Sequence, residues 1–396
     1  MTPAEADIQT SNTAPAPDAE APAVLQILPT LETGGVERGT VDIAAALTAA
    51  GWRAVVASAG GPMVHEVERV GGQHVMLPVD SKNPLIMRRN TKAIADVIRN
   101  HNISIVHARS RAPAWSARSA AQECSLPFVT TFHGTYNFSN PAKKAYNAIM
   151  TKGDRVIAIS EFIGNHIEEN YGTPRERIRV VPRGIDIENF NPDSVSPERM
   201  IQLSQAWRLP DDAPVIMLPG RLTRWKGQSV LIEAARRLGR PDVRVLLVGD
   251  DQGRTGYREE LETQIARIGA EGIIHLTGPC RDMAAAYMLA DVVISASTDP
   301  EAFGRVAAEA HAMGRPVIAS DHGGARETVI AGETGWLVTP GDADALARAL
   351  RTALTMATEE RDTVARRAVA HVHENFTKTQ MCAATLDVYA ELLGNQ

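Results

Sequence analysis

Residues Asp299 to Trp336 read DPEAFGRVAAEAHAMGRPVIASDHGGARETVIAGETGW. From about Phe303 to Met313 the pattern is helical, with Val306, Ala307, Ala310 and Met313 recurring at three- and four-residue steps before Gly314 ends the run. Short β-rich runs flank it: VVISAS (292–297) before, PVIAS (316–320) and GWLVT (335–339) after. Strand, helix and strand in that order make a parallel crossover unit. Two acids stand eight positions apart here, Glu301 in the loop before the helix and Glu309 two turns inside it by this reading. Both can face a ligand lying along the first turns. The backbone N–H groups of Ala302, Phe303 and Gly304 point the same way, and Gly304 lets a ligand approach the backbone closely. Ionised acids in such a place suit neutral polyols, because a carboxylate accepts hydroxyl hydrogen bonds from a sugar or a ribose.

The same alternation runs outward in both directions. Earlier strand runs are VLQILP (24–29), RAVVAS (53–58), HVML (74–77), SIVH (104–107), FVTTF (128–132), RVIAIS (155–160) and IRVVP (178–182), with helical segments between them. IENFNPDSVSPERM (187–200) is polar, carries two prolines, and reads as an interdomain linker. Strand runs resume at VIMLP (215–219), VRVLLVG (243–249) and IIHLTG (273–278). The expected architecture is α/β: two Rossmann-like, doubly wound parallel-sheet domains, 23–190 and 205–375, after a disordered tail over 1–22. Ligands of such sheets bind beyond the carboxyl ends of the strands.

Several strand ends carry chemistry. Strand one runs into Gly34-Gly35, which open a helix; this is not GxGxxG, and VVASAGG after strand two offers no closing acid. A nicotinamide-type dinucleotide site is therefore disfavoured. Pro219-Gly220-Arg221 and Lys226-Gly227 stand between a strand and a helix N-terminus and make a polyanion site. Each charge within about 4 Å of a phosphate is worth up to about 4 kcal/mol at intermediate dielectric, before desolvation. Arg224, between them, reads as a surface residue. His107 and His133 both end strands, and His107 reads as structural.

At 396 residues the chain has room for two domains. Its net charge of −6 argues against a general nucleic-acid binder. The three cysteines are far apart, with neither a zinc pattern nor a disulfide framework, which fits a reducing cytoplasm. No apolar run approaches 18 residues, and the first 22 lack the basic start and apolar core of a signal peptide. Between Lys82 and Arg118 eight Lys/Arg face one acid, Asp96. A second basic stretch, Pro141 to Met150, places Lys143 and Lys144 beside an apolar stripe of Ala145, Ile149 and Met150. Both suit an anionic membrane surface or a phosphorylated lipid acceptor, and equally an ordinary solvated helix face.

Glu-Ala-Phe-Gly at 301–304, the seven residues between the glutamates, Ala-x-Gly-x-Pro-Val-Ile-Ala-Ser at 312–320 and Gly-Gly-x-x-Glu at 323–327 together resemble the donor-sugar motif of the family 4 glycosyltransferases. The likeness extends over nearly the whole chain from Val24, with its most specific motifs in 219–336. It implies the GT-B fold, two domains facing across a cleft, and a retaining enzyme that needs no metal or other cofactor. Residue by residue, it implies that Arg221 and Lys226 grip the donor diphosphate. Gly34, Gly35, Glu37 and Arg38 match a loop that approaches the diphosphate and the acceptor, and Arg109 is a further acceptor candidate. His133 is implied against the donor sugar, and the Gly278–Asp282 turn, with Cys280 and Arg281, beside the nucleobase. Glu301, Ala302, Phe303 and Gly304 would orient the sugar and Glu309 the ribose, leaving His133, Arg221, Lys226 and Glu301 as the catalytic set.

One departure is Arg183, where the family commonly has Asn. The implied reaction moves a hexose from GDP-mannose or a UDP-sugar to an envelope glycan or lipid-linked acceptor of the lipopolysaccharide-core type. It would run in the cytoplasm, on the inner face of the membrane. Backbone recognition of the base leaves no side-chain trace, so uracil and guanine are not distinguished. The resemblance also implies a last helix, within 376–396, that returns to the first domain. Three rivals stand beside this reading. A sugar-nucleotide epimerase of the same fold needs no acceptor, and a phosphorylase of that fold needs pyridoxal phosphate. A two-lobed sugar-binding protein has no use for the Arg221/Lys226 pair.

Overall fold

The computed structural model describes residues 21–136 and 138–394. The tail expected over 1–22 lies almost wholly outside the described residues. Among the described residues thirteen strands form: β1 Ala23–Ile27, β2 Arg53–Ser58, β3 Gln73–Met76, β4 Ile105–Ala108, β5 Phe128–Phe132, β6 Arg155–Ala158, β7 Ile178–Val180, β8 Val215–Pro219, β9 Arg244–Val248, β10 Ile274–Gly278, β11 Val292–Ser295, β12 Val317–Ser320 and β13 Gly335–Val338. They build two parallel sheets, in the orders β3-β2-β1-β4-β5-β6-β7 and β10-β9-β8-β11-β12-β13. β1, β5 and β8 are buried at every residue, as strands covered on both faces by helices must be. In each sheet the order reverses beside the first strand, β1 or β8, and ligands of doubly wound sheets gather at such switch points.

By packing, one compact unit ends at Phe128 and a second begins at Val129. In the first, the helix Gly35–Ala49 follows β1 and buries Val41, Ile43, Ala44 and Leu47. In the second, the core beneath β8 and β9 gathers Leu231, Ile232, Leu247, Ile294, Leu346 and Leu350. At about 25 cal/mol per Å² of apolar surface, burial of aliphatic side chains like these is the main force holding each sheet to its helices.

Two expectations need correction. The segment read as a linker contains the start of a helix, Pro197–Trp207, capped by Ser196, whose side chain accepts from the Arg199 N–H. The stripe in 141–150 is not an exposed apolar face. The helix there ends at Asn147, a 3₁₀ turn follows, and Ile149 and Met150 are buried. The break at Asn147 shifts the helical phase and turns both side chains inward.

The last helix, Lys378–Gly394, is fastened to the end of the seven-stranded sheet. Glu391 Oε1 accepts from Arg155 of β6 and Arg179 of β7, both at 2.5 Å. Those hydrogen bonds pull the Glu391 carboxyl down to about 2. Among the described residues no helix is long and apolar enough to cross a membrane.

Candidate active site

After β8 the chain turns through Gly220 to Gly227. Gly227 has φ +76°, and a Cβ there would lie 1.9 Å from the Ala296 carbonyl oxygen. Only glycine lets this turn press against the end of β11. The turn carries Lys226 to the loop that follows β11. Lys226 Nζ donates to Glu301 Oε1 at 2.5 Å, and Ser297 Oγ donates to the same oxygen at 2.6 Å. Both charged side chains are only 15% exposed, and the ammonium sits 4.4 Å from the Trp225 ring centroid. Arg221 is exposed, with Nη1 3.4 Å from Gln252 Oε1. Arg224 turns away to pair with Glu260 over the Tyr257 ring, as expected of a surface residue.

The Glu301–Gly304 loop rests on the Gly-Gly turn of its own motif. A Cβ on Gly324 would meet the Phe303 Cα at 2.6 Å, and the Gly324 N–H donates to the Glu301 carbonyl at 2.8 Å. Two glycines are therefore needed for backbone to lie on backbone. Phe303 is buried edge-on to Phe376, ring centroids 5.4 Å apart. With its side chain fixed beneath, the N–H groups of Ala302, Phe303 and Gly304 have no hydrogen-bond partner among the described residues. The carbonyl of Ala302 accepts from Ser160 Oγ at 2.6 Å, while Ser160 also caps the helix Glu161–Tyr171. Glu327 completes this joint, its carboxylate accepting from the Glu161 and Phe162 N–H groups at 2.9 and 2.8 Å. Burial pushes the Glu327 carboxyl above its ordinary range despite those two bonds.

Glu309 lies on the helix Arg305–Ala312, which starts after Gly304 in a left-handed conformation, φ +92°. That start is later than the periodicity predicts, so Glu309 stands just over one turn inside the helix rather than two. Its Oε2 accepts from the Tyr287 hydroxyl at 2.9 Å and its Oε1 from Arg305 Nε at 2.6 Å. Tyr287 is fully buried, and burial, reinforced by the Glu309 charge, pushes its phenol well above the ordinary range. It therefore stays a donor. Each Glu309 oxygen accepts one of these side-chain hydrogen bonds, and a carboxylate oxygen can accept more than one.

His133 follows β5 and is half-buried; its Nδ1 lies 3.2 Å from Arg183 Nη2, and its backbone N–H donates to the Tyr136 hydroxyl at 3.3 Å. The residue that departs from the family pattern thus engages the histidine the pattern singles out. In the turn after β10, Cys280 is half-buried, burial raises its thiol, and Arg281 is exposed. Asp282 there caps the next helix and pairs with Arg199.

The remaining predicted residues belong to the first unit. Glu37 folds back over Gly34, where a Cβ would fall 2.4 Å from Glu37 Oε2, and Arg38 pairs with Glu66. Arg109 is buried, its Nη1 bonded to Gln26 Oε1 at 3.1 Å. His107 is fully buried, and burial, followed by the Arg109 charge, holds it well below the ordinary histidine range. Sequence reasoning missed Ser297 and Tyr287, which fix the two glutamates.

The chain is also similar to known proteins over most of its length. The model described as Glycosyltransferase Family 4 matches residues 33–189, and that described as Glycosyl transferases group 1 matches residues 200–370. A D-inositol 3-phosphate glycosyltransferase of Xylanimonas cellulosilytica is 33% identical over 287 residues, 69% of this chain and 68% of the relative. A glycosyltransferase from Rickettsia africae ESF-5 has a solved structure that superposes with a TM-score of 0.89 at 37% identity, covering 95% of this chain and 100% of that one. Anabaena HepE, solved in complex with UDP and glucose, superposes at 0.82 with 25% identity, covering 93% and 100%. The donor-motif residues, the paired parallel sheets and these matches together make the chain a member of the family 4 glycosyltransferases, with the GT-B fold.

Proposed function

We propose that the chain is a retaining, metal-independent hexosyltransferase that uses GDP-mannose or a UDP-sugar and glycosylates an envelope glycan or lipid-linked acceptor. The observation that carries this is Lys226 bonded to Glu301 beside the open N–H groups of residues 302–304. One side of that constellation is cationic and meets a diphosphate; the other accepts and donates hydrogen bonds and meets sugar hydroxyls. As the glycosidic bond breaks, negative charge grows on the diphosphate, and Lys226 and Arg221 stabilise it in place of a metal ion. Glu301 orients the sugar, Glu309 holds the ribose, and His133 lies by the sugar face. No side chain is assigned as a covalent nucleophile: the departing phosphate oxygen takes the acceptor proton on the same face. Glu37 and Arg38 are the proposed acceptor contacts, and the turn at Cys280 and Arg281 the base contact. A lipid-linked acceptor places the enzyme on the inner face of the cell membrane, with the rest of its surface in the cytoplasm.

HepE, which is similar to this chain, was solved with UDP and glucose, and this supports a nucleotide-sugar donor. Melting-temperature shifts against a set of nucleotide sugars identify the donor, since a ligand of the native state raises apparent stability. Transfer from that donor should persist in excess EDTA with anomeric configuration retained. A strict divalent requirement, or product of inverted configuration, would sink the mechanism.

A further inference from the structure

In the first unit, the connection from Met76 to Lys92 has a character unlike the rest of the surface. Met76 is 71% exposed, Leu85 79% and Ile86 36%. In the same stretch Lys82, Arg88, Arg89 and Lys92 face one acid, Asp80, so the segment is net +3 (four cations less one) in a chain of −6. The helix Pro84–Asn100 arranges these residues. Arg88, Arg89 and Lys92 follow Leu85 at three, four and seven positions, which puts all four on one face. Asn90, Ile94, Val97 and Ile98 are buried on the opposite face.

The exposed face is not uniform along its length. Towards its end, Arg99 is neutralised by Asp96 at 3.1 Å and Glu123 at 2.6 Å. Towards its start, Lys82, Arg88, Arg89 and Lys92 form no ion pair among the described residues. Apolar side chains stand out of the surface where the cations lack acids, and that coincidence selects the partner. A folded acidic protein would supply carboxylates but not, in general, an apolar layer behind them. A bilayer with anionic headgroups supplies both, phosphates at the depth of the cations and hydrocarbon just below.

We propose that the first turns of the Pro84–Asn100 helix, with Met76 and Lys82, are a docking surface for an anionic phospholipid bilayer. Leu85, Ile86 and Met76 enter the interface, and Lys82, Arg88, Arg89 and Lys92 meet the headgroup phosphates. Each cation near such a surface strengthens binding about fivefold. The surface deepens the lipid-linked-acceptor reading above and rests on it for its purpose only.

Co-sedimentation of the full chain with vesicles of phosphatidylglycerol and phosphatidylethanolamine, against vesicles of phosphatidylcholine alone, tests it. The chain should bind the anionic vesicles, and added salt should weaken that binding. Arg88→Gln with Arg89→Gln should weaken it about 25-fold, two cations at about fivefold each. Leu85→Ser with Ile86→Ser should weaken it as well, with nucleotide binding and melting temperature unchanged in both variants. Equal binding to both vesicles, or variants that bind as the parent does, would overturn the proposal. So would polyphosphate binding that is as tight and indifferent to Leu85→Ser, because the surface would then read charge alone. Vesicle binding is measured without donor or acceptor, so a chain that transfers sugar yet ignores vesicles refutes the surface and spares the enzyme reading. A chain that binds vesicles but no nucleotide does the reverse.

Discussion

Glu301 and Glu309 are eight residues apart and share one motif, yet they are held by different means. Glu301 sits in a loop, its carboxylate fixed by the Lys226 ammonium and the Ser297 hydroxyl. Glu309 sits in a helix, fixed from beneath by the buried Tyr287 hydroxyl and at the surface by Arg305, which is 54% exposed. A carboxylate that works beside a diphosphate gains from a cation it can share with the phosphates. One that only accepts hydroxyl hydrogen bonds needs rigidity, and a phenol that stays protonated provides that without adding charge. On the proposed reading, the first glutamate belongs to the reacting end of the donor and the second to its nucleoside end, and the difference in their supports is what the variants below probe.

The largest effect should come from cutting the Glu301 wiring. Lys226→Ala removes the cation proposed for the diphosphate and leaves Glu301 with Ser297 alone, so kcat/KM should fall about 10²- to 10³-fold while the fold survives. Arg221→Ala, at an exposed position, should fall less. Parent-like turnover in both variants would refute the phosphate assignment. A smaller effect is expected at the other glutamate's support. Tyr287→Phe deletes one buried hydrogen bond, worth about 1 kcal/mol, so nucleoside diphosphate should bind roughly fivefold more weakly, with turnover at saturation nearly unchanged. A loss confined to turnover would erase the distinction between the two sites.

Glu391 is the control, an ion-paired acid remote in sequence from both. Its carboxyl is depressed to about 2 from 4.5. Its contribution to stability is therefore present above the ordinary carboxylate range and is lost as pH falls from about 4.5 towards about 2. Glu391→Gln should lower stability at neutral pH by about 1 kcal/mol after solvent screening, and flatten the acid limb of a urea-midpoint profile. Donor binding should not change; if it does, the last helix reaches the site in a way this account does not include.

How much of this was legible in the sequence follows from burial. Strands covered on both faces read as short β-branched and apolar runs with few charges, so β2, β5 and β8 fall where RAVVAS, FVTTF and VIMLP predict. The helix Pro197–Trp207 has no fully buried residue, and its short stripe of Met200, Leu203 and Trp207 is only partly covered. The polar, proline-bearing stretch before it therefore dominated the reading, although Ser196-Pro197-Glu198 is a capping signal. The start of the Glu309 helix was misplaced because Gly304 adopts a left-handed turn that periodicity does not register. Glu301, Arg221 and Lys226 were legible because they stand in the turns after strands, where ligands of such sheets bind, and Glu309 because it follows Glu301 at motif spacing. Tyr287 was not, since one phenol in the Ala-rich MAAAYML helix looks like any core aromatic. The inward turn of Ile149 and Met150 depended on where a helix stops, which composition does not specify.

The division of labour between the two glutamates is tested most directly by calorimetric titration of Glu301→Gln and Glu309→Gln with UDP and with GDP. Removing a carboxylate that accepts hydroxyl hydrogen bonds costs about 1.5–3 kcal/mol. Glu309→Gln should therefore weaken the bare nucleoside diphosphate roughly tenfold or more. Glu301→Gln should bind it almost as the parent does while turnover falls by a similar factor, and the better-bound nucleotide names the base. If Glu301→Gln weakens the bare nucleotide as much as Glu309→Gln does, the sugar does not lie against Glu301 and the account is wrong.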